Sequence, residues 1–153
     1  VRLFVHVVEG DFRLGSKRNN SDVHDATGLS ILTRCRDIAC KRKEISLLSD
    51  SLLNFNEISK PSLPEDLNYN YGYYPVIFKN EEIVLKVMAA LLENNISARR
   101  YFYPSLNQLP FLNVYQSCEI VESISKRVLT LPLFYDLAEP DVQRIAGIVN
   151  QQV

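Results

Sequence analysis

The sequence predicts an α+β fold: a small, mostly antiparallel sheet of three to four strands packed with helices and preceded by one long helix. Three observations carry that prediction. Runs rich in β-branched and aromatic residues lie at 71–78, 96–103 and 127–133; helix-spaced apolar residues separate them; and a longer stripe of that kind runs from Val23 to Leu52. Such an order of elements suits one sheet covered by helices.

Each element has a local reason. VRLFVHVV at the start reads as a short strand, followed by a turn at Glu9-Gly10-Asp11 and then Phe12 to Leu14. The polar run 15–21 closes this segment. Ser21 or Asn20 then caps a helix with Asp22 and Asp25 in its first turn, near the positive end of the dipole. Val23, Ala26, Ile31, Leu32, Cys35, Ile38, Ala39, Ile45, Leu48 and Leu52 predict one long amphipathic helix, bent near Gly28. Residues 54–70, with Pro61 and Pro64, read as a loop.

Tyr71 to Phe78 is the next predicted strand. Asn80 caps a helix with Ile83, Val84, Val87, Met88, Leu91 and Leu92 on its stripe, which stops at Asn94-Asn95. Ile96 to Tyr103 is predicted as a strand ended by Pro104, and Ser105 to Val114 as irregular. Tyr115 to Ser125 reads as a short helix with Cys118, Val121 and Ile124 inward, and Arg127 to Leu133 as a strand. Pro140 suits the first turn of a last helix buried through Val142, Ile145, Ala146 and Ile148 or Val149. Residues 1–20 form an N-terminal strand and loop, and residues 21–153 the single domain.

Composition narrows the function. The chain has 153 residues, 46% hydrophobic and 23% charged, enough for one core, and a formal net charge of -1 that attracts neither nucleic acid nor an anionic membrane. The basic cluster Arg34, Arg36, Lys41, Arg42 and Lys43 is interleaved with Asp37 and Glu44, as on a solvated helix face. No apolar run approaches the ~20 residues of a membrane span, and the opening has no secretory pattern, so a cytoplasmic location is expected. Cys35, Cys40 and Cys118 form no C-x-x-C pair and are expected as reduced, semi-buried thiols. His6 and His24 lack the further ligands a metal requires.

The ordered words LGSKRNNSDVHDATGLSIL, KRKEIS, YYPVIF, NNISARRYFYPSLNQLP and SISKRVLTLPLFYDLAEPDVQRI resemble the C-terminal part of the DegT/StrS family of sugar aminotransferases. RRYFYPSL is similar to members acting on dTDP-linked 4-keto-6-deoxy sugars, as used in O-antigen and lipopolysaccharide synthesis. The resemblance runs from about Phe12 to Val149. It implies the small domain of a fold type I aminotransferase, a pyridoxal-phosphate (PLP) enzyme whose Schiff-base lysine and cofactor-pairing aspartate lie in a preceding large domain. None of the seven lysines here sits in the family's lysine motif.

The active-site words present are altered. Where the family reads L-G-x-N-x-[RK]-[ML], this chain has Leu14-Gly15-Ser16-Lys17-Arg18-Asn19-Asn20, with Lys17 at the place of the phosphate-contacting Asn. Asp25 and Thr27 replace Ala and Met, and Leu3 and Val5 replace the Asn and Gly of an R-N-F-G loop. Arg99, Arg100, Tyr101 and Tyr103 are the candidate ligand-facing residues. In the family this strand end approaches the sugar nucleotide, and guanidinium groups suit a diphosphate. Alternation instead would send one Arg to solvent and stack the other on a tyrosine.

These readings predict no catalytic residue, no metal and no cofactor within the chain, and a non-catalytic role on its own, vestigial or binding a nucleotide-sugar or a protein. Alternatives are the C-terminal piece of a split PLP-dependent aminotransferase, with a lysine-bearing large-domain partner, and a pure interaction module. The apolar stripe of the long helix, without a large domain to cover it, predicts a homo-oligomer formed through that helix.

Overall fold

The structure, a computed structural model, describes residues 3–4, 15–16, 22–64, 66–101, 103–110 and 116–153. Its elements run β1 (Leu3–Phe4), β2 (Gly15–Ser16), α1 (Asp22–Leu32), α2 (Cys35–Leu52), β3 (Tyr74–Ile77), α3 (Glu81–Glu93), a 3-10 turn (Leu106–Gln108), α4 (Glu119–Arg127), β4 (Val128–Leu131) and α5 (Glu139–Asn150). The class is α+β. Of the first predicted strand, Leu3 and Phe4 pair antiparallel with Ser16 and Gly15, inside the run read as loop. Phe12 to Leu14, His6 and Lys17 lie outside the described residues.

The sheet is smaller than predicted. Among the described residues it consists of β3 and β4, antiparallel, with Tyr74 opposite Leu131 and Val76 opposite Leu129. Single bridges flank it, Ser59 with Ile77 on one edge and Arg99 with Thr130 on the other. The predicted third strand, Ile96 to Tyr103, is thus reduced to Arg99, whose N–H and C=O both pair with Thr130. Beyond it Arg100 turns back to Glu81 and to the Lys126 carbonyl, which draws the chain off the ladder.

One face of this ribbon carries the core. Tyr74, Val76, Phe78, Leu129 and Leu131 join Ile45 of α2, Val84, Val87 and Leu91 of α3, and Val142, Ile145, Ala146 and Val149 of α5 in one cluster. On the opposite face Pro75, Ile77, Val128 and Thr130 are half-buried, the alternation expected of a sheet packed on one side. The helix stripes read from the sequence in α3 and α5 are those turned to the core, except that Leu92 of α3 is exposed.

Helix ends follow local chemistry. Asn80 Oδ1 accepts the Ile83 N–H at 2.9 Å, and α3 closes through Asn95 in the left-handed region (φ 60°) with the Ile96 N–H reaching the Leu91 carbonyl. Asn150, at the end of α5, accepts the Asn54 N–H at 3.0 Å and donates to the Leu52 carbonyl at 2.8 Å, so the last turn of α2 is completed from the far end of the chain.

Three helix predictions are corrected. The long helix is two helices, broken at Thr33–Arg34 rather than bent at Gly28: the Arg34 N–H bonds three residues back to Ile31, and the Thr33 hydroxyl donates to the Ser30 carbonyl, competing with the helical pattern. Cys35 and Cys40 are exposed and Cys118 half-buried, because α2 packs only from about Ile38 onward. In α4 Val121 is exposed and Ser125 is buried instead. There Cys118 is the N-cap, its N–H held by the Glu122 carboxylate at 2.9 Å, which rotates the helix away from the predicted face.

α1 has no buried residue, and Val23, Leu29, Ile31 and Leu32 are exposed. The first half of the predicted stripe therefore faces nothing among the described residues.

Candidate functional site: a groove at the sheet edge

The segment after α3 carries the candidate residues, and two attachments fix it. The Arg99 backbone is bridged to Thr130. Arg100 is clamped: one Nη donates to Glu81 at 2.8 Å and to the Lys126 carbonyl at 3.0 Å, and the guanidinium lies 3.4 Å from the centroid of the Tyr103 ring. Its side chain is only 12% exposed. Hydrogen bonds from Arg100 and Tyr103 hold the Glu81 carboxyl below its usual range, so the clamp stays charged over ordinary pH. Arg100 is thereby occupied, with Tyr103 stacked on it and itself still exposed.

Arg99 and Tyr101 point the other way. Arg99 is exposed, its Nη1 is 3.4 Å from the Tyr101 hydroxyl, and it has no carboxylate partner among the described residues. Tyr101 packs edge-on against Tyr73, centroids 5.1 Å apart. The structure thus divides the four predicted residues between a groove, which Arg99 and Tyr101 line, and the clamp on Glu81, which engages Arg100 and Tyr103.

Arg99 and Tyr101 open onto a groove of about 720 Å3 at the β4 edge of the sheet, between the segment after α3 and the start of α5. Leu131, Leu137 and Ile145 form an apolar floor, while Tyr73, Phe134, Arg144 and Asp141 share the rim with Arg99 and Tyr101. Arg144 is oriented by Asn94, donating to its backbone carbonyl at 3.0 Å and its side-chain oxygen at 3.2 Å. A volume in the range of small-molecule sites, an apolar base and a few converging polar groups are the usual makings of a ligand pocket. Two guanidinium groups against one carboxylate favour an anion, and the tyrosines offer ring faces for a planar group.

Tyr73, Phe134 and Arg144 were missed in the sequence. Tyr73 lay within a predicted strand, and its alternation with buried Tyr74 was the one signal available; Arg144 is brought to the site only by the packing of α5 on α3.

The PLP expected from the resemblance requires a lysine amine opposite a cofactor pocket. Lys41, Lys60, Lys79 and Lys86 are in ion pairs with Glu44, Asp50, Glu57 and Glu82, and none of the six described lysines lines the groove. The described residues do not fit that cofactor. Nor do they gather three or more His, Cys, Asp or Glu in a metal-binding group. No helix among them is long and apolar enough to cross a membrane.

The chain is 30% identical over 141 residues to a dTDP-4-amino-4,6-dideoxy-D-glucose transaminase of Escherichia coli, an alignment covering 84% of this chain and 37% of that enzyme. In fold it is similar to the aminotransferase TlmJ from Streptoalloteichus hindustanus (TM-score 0.79, 22% identity, 94% of this chain and 40% of that one). It is also similar to the sugar aminotransferase CalS13 from Micromonospora echinospora (TM-score 0.74, 16% identity, 93% and 39%). The chain spans about two-fifths of the length of these relatives. The model of the DegT/DnrJ/EryC1/StrS aminotransferase family matches residues 2–150, and the chain belongs to that family.

Proposed function

We propose that this chain is a nucleotide-sugar-binding domain of a sugar aminotransferase, non-catalytic by itself, with dTDP-linked 6-deoxy sugars as its ligand class. The supporting observation is the groove beside Tyr73 and Tyr101, where Arg99 is exposed and without a carboxylate partner. A diphosphate suits that guanidinium by charge-assisted hydrogen bonding, and a pyrimidine ring suits the tyrosine faces. The relative's name supplies the sugar class. The described lysines supply no Schiff base, so transamination would require a lysine-bearing domain.

Isothermal titration of the purified chain with dTDP tests this. Saturable binding, weakened about tenfold or more by Arg99→Ala and unchanged by Lys43→Ala, is the expected result; absence of heat up to millimolar dTDP overturns it. A borohydride-reducible adduct of the isolated chain with PLP would overturn the non-catalytic part. A second reading, the small domain of a two-part enzyme, is favoured by the share of its relatives that the chain spans. Co-purification with a lysine-bearing large domain, with transaminase activity restored in the pair, would select it.

A further inference from the structure

We propose that Arg144, held in place by Asn94, is the second phosphate-binding residue of the groove and makes it select a nucleoside diphosphate over a monophosphate. The assignment rests on the groove being the nucleotide site proposed above. Arg99 and Arg144 stand on different elements but beside the same apolar floor. The Arg99 backbone is bridged to Thr130, the neighbour of Leu131, and Arg144 immediately precedes Ile145 on α5; Leu131 and Ile145 are both buried beneath the groove.

The hold on Arg144 is one-sided. A single nitrogen, Nη2, makes both bonds to Asn94, to its carbonyl at 3.0 Å and to Oδ1 at 3.2 Å. Arg144 is exposed, and its Nε and Nη1 have no partner among the described residues. Asn94 is itself pinned: its Nδ2 donates to the Ala90 carbonyl at 2.9 Å, and its N–H closes the last turn of α3. Oδ1 is thereby left facing the guanidinium. A long side chain fixed in advance loses less freedom when a ligand arrives.

Charge indicates what the open nitrogens take. Asp141 lies three residues before Arg144 on α5, a spacing at which helical ion pairs form. Among the described residues, however, neither belongs to an ion pair. The groove therefore keeps two guanidinium groups unneutralised in a chain whose formal net charge is -1. A role confined to capping the negative end of α3 would use Nη2 and leave Nε and Nη1 without a purpose. Arg99 adjoins the Tyr101 and Tyr73 rings that suit the base, which places it for the first phosphate. Arg144, on the α5 side, is left for the second, where its fork can take two oxygens.

Isothermal titration of the purified chain with dTDP and dTMP tests the assignment. The unaltered chain should bind dTDP about tenfold or more tighter than dTMP. Arg144→Ala should bring the two nucleotides to within about threefold of each other with dTMP binding nearly unchanged, whereas Arg99→Ala should weaken both. Arg144→Gln keeps a donor for the Asn94 carbonyl but neither charge nor fork; it should lose the preference as the alanine variant does, with thermal unfolding unchanged. Asn94→Ala, with Arg144 intact, should lose part of it. Failure of the unaltered chain to bind either nucleotide overturns the nucleotide-site reading and this assignment with it. Binding of dTDP that Arg99→Ala weakens, with a dTDP to dTMP ratio near one or unmoved by the Arg144 variants, overturns the assignment alone. So does an Arg144 variant that weakens both nucleotides alike.

Discussion

Tyr74 shows how much one hydroxyl does in this domain. Its ring is 2% exposed in the core, while its hydroxyl reaches Asp50 at 2.5 Å and Lys60 pairs with the same carboxylate oxygen at 2.7 Å. The Lys60 ammonium also lies 4.5 Å from the Tyr74 ring centroid. Burial, followed by the Asp50 carboxylate, pushes the phenol well above its usual value. A folded-state pKa raised above the unfolded value contributes stability fully present below about pH 10. That contribution is lost as pH climbs above it, because only the unfolded chain ionises freely. Tyr74→Phe should cost about 1–2 kcal/mol at neutral pH by urea titration and should flatten the fall in stability above pH 10. At this same scale the sequence exposed less: Arg99 and Arg100 were legible as a pair, but which of them turned inward depended on Glu81 and Lys126, each brought there by another element.

Elements were most readable where capping chemistry is local. Asn80 as the cap of α3 and Asn94-Asn95 as its stop were both visible as residue types, because the groups they satisfy lie within a few residues. Asn80→Ala should lower stability by about 1 kcal/mol, while Asn80→Asp should retain most of it, as measured by thermal unfolding. Where an element depends on a distant partner, the reading failed. Ile96 to Tyr103 has strand composition, yet only Arg99 pairs, since the ladder was cut short by side chains bound to α3 and α4. The division of the long helix at Thr33–Arg34 escaped notice for a different reason: its apolar spacing runs unbroken through a point where backbone hydrogen bonding changes.

At the scale of the whole molecule, one apolar cluster joins α2, α3, α5 and the inner sheet face, and the periodicity of those helices made it legible in advance. Leu91 lies at its heart, with no exposed surface. Leu91→Ala should therefore cost roughly 3 kcal/mol in chemical denaturation, with the loss shared by every probe of α2, α3 and α5 if they unfold as one unit. The groove was not legible, because it is made by a strand edge, a loop and the first turns of α5 meeting in space.

The Asn150 clamp on the end of α2 has a consequence for how the protein is made. Its two bonds join positions 96 and 98 residues apart, so the end of α2 depends on an element made much later. During synthesis α2 emerges early and waits with its apolar side uncovered until α5 arrives to close both the core and the helix end. The interval between the two is when this chain is most open to chaperones and to mispairing.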